Sequence, residues 1–115
     1  MTEIEALYAA VPVSVLAVAV EWYSRLFGRP PDVVVHEDEV MWRATESAWL
    51  YVVVDGARAG HGVVTLAVDD LDASLSQLAA RGLEGAPVAA VGTAGRRSVQ
   101  TDPDGNTVAL VEISG

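Results

Sequence analysis

The chain has 115 residues, which is enough for one domain with its own hydrophobic core. Its 16 acidic and 7 basic side chains give a formal net charge of -9, which repels nucleic acid and favours neutral or cationic partners. There is no cysteine, so disulfides, thiolate nucleophiles and cysteine-bound metals are excluded. We expect a single domain spanning residues 1–115 that has no nucleic-acid partner.

An apolar run at residues 6–20 is the first prominent feature along the chain. A helix needs roughly 20 apolar residues to span a bilayer, and this run is shorter and contains Pro12 and Ser14. It also follows the acidic Glu3 and Glu5, whereas a secretory signal begins with basic residues. We therefore expect a cytoplasmic protein without a membrane partner.

The first half of the chain predicts a strand, a helix and three more strands. The helix is indicated by Leu16, Ala19, Tyr23 and Leu26, which recur at intervals of three and four residues. The predicted segments are a strand near 6–13, a helix near 15–27, and strands near 33–37, 39–45 and 48–54.

The second half predicts the same order of elements. Leu71, Leu75 and Leu78 have helical spacing, Asp69 or Asp70 can cap the helix, and Gly82 can end it. The predicted segments are a strand near 62–68, a helix near 71–81, and strands near 86–91, 96–101 and 107–113, separated by glycine-containing turns.

A weak internal repeat relates the two halves. Val13-Ser14-Val15-Leu16 aligns with Val68-Asp69-Asp70-Leu71, and the apolar strand at 49–54 aligns with 107–112. The repeat predicts an α+β fold made of two βαβββ modules, residues 5–56 and 61–114.

In the first helix Val15, Val18 and Trp22 make the second face apolar as well, so this helix needs cover on two sides. We expect a second subunit to supply part of that cover in a homodimer.

Three motifs stand out in the sequence: the helix end WYSRLFG at 22–28, the helix entry VDDLD at 68–72, and the turn DPDGN at 102–106. With the repeat, they resemble the vicinal oxygen chelate superfamily, the group of glyoxalases, bleomycin-resistance proteins and ring-cleaving dioxygenases. The resemblance implies two modules forming a half-barrel. It leaves the function open, because the fold hosts both metal-dependent enzymes and metal-free drug-binding proteins. From its residues alone, the turn predicts a chain reversal between two strands.

The resemblance also implies where a metal would be held, on the first and last strands of each module. The corresponding residues are Tyr8, Tyr51, Val63 and Ala109. Two of them have no donor atom, and a phenol with a pKa of about 10 is a poor ligand for a divalent ion. The sequence therefore predicts no metal and no cofactor. His61 shares strand parity with Val63 and would restore a donor only after a register shift.

Alternation along the strands predicts a small-molecule pocket with aromatic and aliphatic walls and a few hydroxyl groups. One of Arg96 and Arg97 should point inward, where it could bind a carboxylate or phenolate. The predicted ligand-binding residues are Tyr8, Trp42, Trp49, Tyr51, His61, Val63, Thr65, Arg97 and Ala109.

The favoured hypothesis is a metal-free binding protein that sequesters a planar aromatic or cationic compound, as in antibiotic resistance. The alternative is a lyase, isomerase or dioxygenase with a metal site shifted to His61, or one that uses acid–base chemistry without metal. A third possibility is a domain whose pocket is packed shut and which acts through its dimer surface.

Overall fold

The computed structural model describes residues 2–83 and 86–113. The elements in chain order are β1 (Leu7–Val13), α1 (Leu16–Phe27), β2 (Val33–His36), β3 (Glu39–Thr45), β4 (Ala48–Val54), β5 (Val63–Ala67), α2 (Leu71–Ala80), β6 (Val88–Val91), β7 (Gly95–Thr101) and β8 (Thr107–Ile113). This order confirms the predicted α+β fold of two βαβββ modules. Within the described ranges, neither helix combines the length and the apolarity that a bilayer crossing requires.

The strands form two four-stranded sheets with the same topology. Sheet A has the order β1-β4-β3-β2 and sheet B the order β5-β8-β7-β6. In sheet A β1 runs parallel to β4, and in sheet B β5 runs parallel to β8, while the remaining pairs are antiparallel. The first and the last strand of each module therefore lie side by side in its sheet and run parallel.

Strand alternation gives each sheet a buried side and an open face. Leu50 and Val52 of β4 are buried towards α1, whereas Trp49, Tyr51 and Val53 point to the opposite side. The buried residues of both sheets and both helices form one hydrophobic core: Val11, Val13, Ala19, Tyr23, Leu26, Val40, Trp42, Leu50, Val52, Leu71, Leu78, Val108 and Leu110. We call the side of each sheet that faces away from the helices its open face.

The predicted turn at 102–106 does more than reverse the chain, because it joins the two modules. The buried carboxylate of Asp102 accepts hydrogen bonds from the Tyr23 hydroxyl at 2.8 Å and from the backbone and side-chain nitrogens of Asn106, both at 2.9 Å. Asn106 in turn donates to the Pro12 carbonyl at the end of β1, at 2.8 Å. Burial, together with Asp102, raises the pKa of the Tyr23 phenol well above its usual range, so this residue donates its proton and does not titrate near neutrality.

The two helices begin differently. In α2 the Asp70 carboxylate accepts a hydrogen bond from the Ala73 amide at 3.0 Å, so Asp70 is the cap among the two candidates that the sequence offered, Asp69 and Asp70. Helix α1 follows Val15 and has no side-chain cap. The neighbouring Ser14 instead donates from its amide and its hydroxyl to the Asp104 carboxylate. The start of α1 is therefore held by the turn of the other module.

Candidate functional site

The open face of sheet A carries a row of aromatic and cationic side chains. Tyr8, Trp49 and Arg43 are register partners on three adjacent strands. The Tyr8 and Trp49 rings are nearly parallel with centroids 6.3 Å apart, and the Arg43 guanidinium lies 5.5 Å from the Trp49 ring centroid. Trp49 therefore has an aromatic ring on one side and a guanidinium on the other.

The next row along the same face has a gap. Tyr51 pairs with Met41 on one side and with Ala10 on the other. Because Ala10 has only a methyl group, space remains beside the Tyr51 ring towards β1. Pro12 and Val53 continue this face one row further along the strands.

A cavity of about 420 Å³ occupies this gap. The loop at 55–62 forms its second wall. The lining residues are Ala10, Pro12, Tyr51 and Val53 from sheet A, and Asp55, Ala57, Arg58, His61 and Gly62 from the loop. We call this cavity the Tyr51 slot. Its volume is within the range of small-molecule sites, and most of its sheet-side lining is apolar.

The loop wall of the Tyr51 slot is held by polar contacts. Arg58 donates from its guanidinium to the Asp55 carboxylate at 3.1 Å. The Gly62 amide donates to the side-chain oxygen of Asn106 at 2.7 Å. The turn that joins the modules therefore also positions the end of this loop.

The open face of sheet B is different, because its described side chains other than Arg97 are small or aliphatic. Val63 on β5 is 79% exposed, and Thr65 pairs with Ala109 in the register of β5 and β8. Arg97 also lies on this face, since its neighbour in sequence Ser98 is buried on the helix side. Arg96 points the other way and pairs with Asp72 at 3.3 Å and Glu112 at 3.5 Å. The structure thus decides which arginine faces away from the helices.

One predicted binding residue needs correction. Trp42 is fully buried on the helix side of sheet A, stacked on Phe27 with ring centroids 5.5 Å apart. Its indole N–H donates to the Arg29 carbonyl at 3.0 Å. Trp42 is the register partner of the buried Leu50, so its side chain points to the same buried side of sheet A. It does not line the open face.

The other predicted residues are divided between the two open faces. Tyr51 and His61 line the Tyr51 slot, with Tyr8 and Trp49 on the same face of sheet A. His61 precedes β5 rather than lying within it. The remaining candidates lie on the open face of sheet B: Val63, Thr65, Arg97 and Ala109.

Sequence reasoning missed several residues of the slot. Ala10 and Pro12 have the same parity as Tyr8, and this signal was available in the sequence. Asp55, Ala57 and Arg58 lie in an irregular loop, where no periodicity indicates which side chains approach a sheet.

The residues at the four metal positions do not fit a divalent ion. Tyr8 and Tyr51 offer phenol oxygens, which are poor ligands for such an ion, while Val63 and Ala109 offer no donor at all. Within residues 2–83 and 86–113, no three histidine or carboxylate side chains gather closely enough to hold a metal. The slot offers the hydrogen-bonding side chains of Tyr51, Arg58 and His61 to a ligand.

Several solved structures of other proteins have the same fold as this chain. A crystal structure of a glyoxalase / bleomycin resistance protein from Catenulispora acidiphila is 38% identical, covers 95% of this chain and 98% of its own, and superposes with a TM-score of 0.89. TnmS3, an antibiotic binding protein from Streptomyces sp. CB03234, is 24% identical over 99% of this chain and 98% of its own, with a TM-score of 0.72. A glyoxalase-related enzyme from Fulvimarina pelagi is 16% identical over 93% of this chain and 86% of its own, with a TM-score of 0.70.

No functionally curated protein matches the chain significantly. A family model does match, over residues 6–110, nearly the whole chain. The matched region includes both helices, seven complete strands and the turn at 102–106. On this match, and on the 38% identity to the Catenulispora protein, the chain belongs to the Glyoxalase/Bleomycin resistance protein/Dioxygenase superfamily.

Proposed function

We propose that the protein binds a planar aromatic small molecule without a metal, in the Tyr51 slot. The observation that carries the proposal is the cavity of about 420 Å³ between the Tyr51 ring and the loop at 55–62. A flat ring inserted over Ala10 would stack against Tyr51, and such contacts contribute roughly 0.5–1.5 kcal/mol beyond the burial of apolar area. The nearby Tyr8 and Trp49 rings extend the aromatic surface for a larger ligand.

The relatives favour sequestration of an antibiotic-like compound as the biological role. The Streptomyces relative is an antibiotic binding protein, and the Catenulispora relative is named for bleomycin resistance as well as glyoxalase. Both share the fold of this chain over almost its full length. From this shared fold and the slot, we propose that the protein takes part in antibiotic resistance and is located in the cytoplasm.

Filling the slot tests the binding site directly. In Ala10→Leu the larger side chain occupies the space beside Tyr51, so the affinity for a flat probe such as 2-naphthamide should fall at least tenfold by isothermal titration calorimetry. Ala79→Leu introduces the same change at an exposed position on α2 and should leave the affinity unchanged. Equal affinity in Ala10→Leu and wild type would place the site elsewhere, and absence of binding in wild type would overturn planar-ring binding.

We also propose that the protein is a homodimer that pairs through the strands β1 and β5. The chain exposes 6873 Å². A folded monomer of this mass exposes roughly 6,000 Å², and the excess is close to the roughly 800 Å² that each partner contributes to a standard interface. Among the described strands, β1 pairs with β4 alone and β5 with β8 alone. No described strand pairs with their outer edges, where Leu7 and Val63 are exposed, although the Pro12 carbonyl of β1 accepts from Asn106.

Sedimentation analysis tests this dimer. Wild type should sediment as a dimer at micromolar concentration, and Val63→Lys should shift it towards monomer because a charge would enter the interface. Val34→Lys places the same charge on the exposed outer strand β2 and should leave the dimer intact. A monomeric wild type, or equal effects of the two substitutions, would contradict the proposed interface.

A catalytic role has one specific observation in its favour, the position of His61 in the slot beside Tyr51. An imidazole there is placed to remove a proton next to a carbonyl of a bound ligand. Proton NMR of 2-acetylnaphthalene in D₂O tests this candidate. Exchange of the methyl protons that is faster with wild type than with His61→Gln would support it, and equal exchange would leave binding as the function.

A further inference from the structure

One side chain of the second module bonds both walls of the Tyr51 slot. Asn106 is fully buried, and its side-chain oxygen accepts from the Gly62 amide of the loop at 2.7 Å. Its side-chain nitrogen donates to the Pro12 carbonyl of sheet A at 2.8 Å. Pro12 and Gly62 line the slot, whereas Asn106 lies behind them and is not part of the lining. We call these two hydrogen bonds the Asn106 clamp. Because one short side chain makes both bonds, it fixes the distance between the two walls at this end.

The loop backbone lies directly against the turn at 102–106. A methyl group added to Gly62 would come within 2.9 Å of the Asn106 side-chain oxygen and 3.1 Å of the Pro12 Cδ atom. Gly60 has a φ of +88°, and a methyl group there would come within 2.5 Å of the Asp104 carbonyl oxygen. Side chains are excluded at both positions, so this end of the loop packs closely on the turn.

The other end of the loop is attached to sheet A. The Asp55 amide donates to the Val13 carbonyl of β1 at 3.0 Å. Along the loop, the Arg58 amide donates to the Asp55 carbonyl and the His61 amide to the Arg58 carbonyl, both at 3.2 Å. The loop is therefore held by its own module at its start and by Asn106 at its end. Loss of the Asn106 side chain would release the end of the loop while leaving its start in place.

We infer that Asn106 is a positioning residue of the slot, which keeps the two walls at the separation of a flat ring without touching the ligand. This inference rests on the proposed function and adds the residue that sets the shape of the site. A wall that is in place before binding loses less conformational entropy when the ligand binds. Without the clamp, the Gly62 amide and the Pro12 carbonyl both lose a partner and need water in its place. Water between the walls widens the slot.

Two neutral amides of different thickness test the clamp. They are 2-naphthamide, which has a flat ring, and 1-adamantanecarboxamide, which has a thick one, each titrated calorimetrically. Wild type should bind the naphthamide more tightly. In Asn106→Ala the affinity for naphthamide should fall about fivefold to tenfold because the walls are no longer held in place, while the affinity for the adamantane amide should not fall. The ratio of the two affinities is decisive, because a general loss of folded protein would lower both equally.

Tyr23→Phe is the matched control. It removes one donor to the Asp102 carboxylate, to which the Asn106 side chain also donates, so it weakens the same buried network. Tyr23 does not line the slot and makes neither bond of the clamp. Tyr23→Phe should therefore bind both amides as wild type does. Circular dichroism at the temperature of the titrations checks that each variant is folded.

Hydrogen exchange in wild type tests the same inference without any substitution. A flat ring between the walls should favour the clamped state, although it does not touch Asn106. Bound naphthamide should therefore slow exchange of the Asn106 side-chain amide protons at least about fivefold more than exchange of the Ala73 amide. The Ala73 amide is bonded to Asp70 at the start of α2 and reports the overall stabilisation of the fold. NMR spectroscopy measures both rates.

The outcomes separate this inference from the proposed function. The inference is wrong, while ring binding stands, if Asn106→Ala keeps the wild-type ratio of affinities or if Tyr23→Phe changes that ratio as much. It is also wrong if wild type binds the adamantane amide as tightly as naphthamide, or if bound naphthamide slows exchange at Asn106 no more than at Ala73. If naphthamide does not bind to folded wild type, the proposed function itself fails.

Discussion

The two sheets share one topology but differ in the side chains on their open faces. In sheet A the register pair Ala10 and Tyr51 sets a methyl group beside an aromatic ring, and the slot forms there. The corresponding pair in sheet B is Thr65 and Ala109, which has no ring to form a wall. Duplicating the βαβββ unit therefore repeats the backbone, whereas the sizes of a few outward side chains decide which sheet forms a slot.

The helices show a similar contrast. Helix α2 is capped by its own Asp70, so its start is stabilised within its module. Helix α1 depends on Ser14 and Tyr23 binding the turn of the second module. The start of α2 thus combines a local cap with the Glu112 contact inside its own module, whereas the start of α1 uses the turn of the other module.

The largest expected effect contrasts the two sides of sheet A. Trp42→Ala should lower the free energy of unfolding by about 3–5 kcal/mol, because a fully buried side chain leaves a cavity in the core. Trp49→Ala, on the open face, should cost less than about 1 kcal/mol and act mainly on ligand affinity. Urea denaturation of both variants measures the difference, and similar losses would show that the open face is part of the core.

Tyr23→Phe should lower the free energy of unfolding by about 1–3 kcal/mol, because the buried Asp102 carboxylate loses one of its donors. This variant should also change the dependence of stability on pH. Burial and Asp102 raise the folded pKa of Tyr23 above the ordinary 10.0 of a phenol. The contribution of this group to stability is therefore fully present below pH 10.0 and is lost as the pH rises further.

The wild-type free energy of unfolding should thus fall on the order of 1.4 kcal/mol per pH unit above that value because of this one group. Tyr23→Phe should lack this contribution, while Tyr8→Phe, at a half-exposed phenol, should keep it. Guanidinium denaturation at several alkaline pH values measures the slopes. Identical slopes in wild type and Tyr23→Phe would contradict the assignment.

Removing the cap of α2 should have a smaller effect. Asp70→Ala leaves the Ala73 amide without its acceptor and should cost about 1 kcal/mol. The exposed neighbour Asp69 provides the control, since Asp69→Ala should change little. Thermal unfolding of the two variants measures both effects. A loss as large for Asp69→Ala as for Asp70→Ala would mean that charge rather than capping stabilises this end.

Adding a cap to α1 gives the smallest expected effect and the opposite sign. Val15→Ser places a hydroxyl at the helix start, where it can accept from a free amide, and should stabilise the fold by about 0.5–1 kcal/mol. Val18→Ser puts a serine inside the helix and should bring no gain. No gain from Val15→Ser would indicate that the contact between Ser14 and Asp104 already substitutes for a cap.

The sequence predicted the secondary structure closely because local signals were present at nearly every boundary. All ten observed elements begin and end within two residues of the predicted segments, guided by leucine spacing in the helices and glycine-containing turns. The prediction about Trp42 was wrong for a physical reason. An isolated strand has two equivalent faces, and only the packing of α1 on β3 and β4 decided which face is buried.

The sequence by itself determined the α+β class, the duplicated βαβββ order, the missing donors at Val63 and Ala109, and a cap of the second helix by Asp69 or Asp70. These follow from residue type and local periodicity, which operate over a few neighbouring positions. Only the tertiary structure decided that Ala10 opens a slot beside Tyr51 under the loop at 55–62, that Arg97 rather than Arg96 faces away from the helices, and that the turn joins the modules. Those features depend on contacts between residues distant in the chain, and such contacts follow from packing rather than from any local pattern.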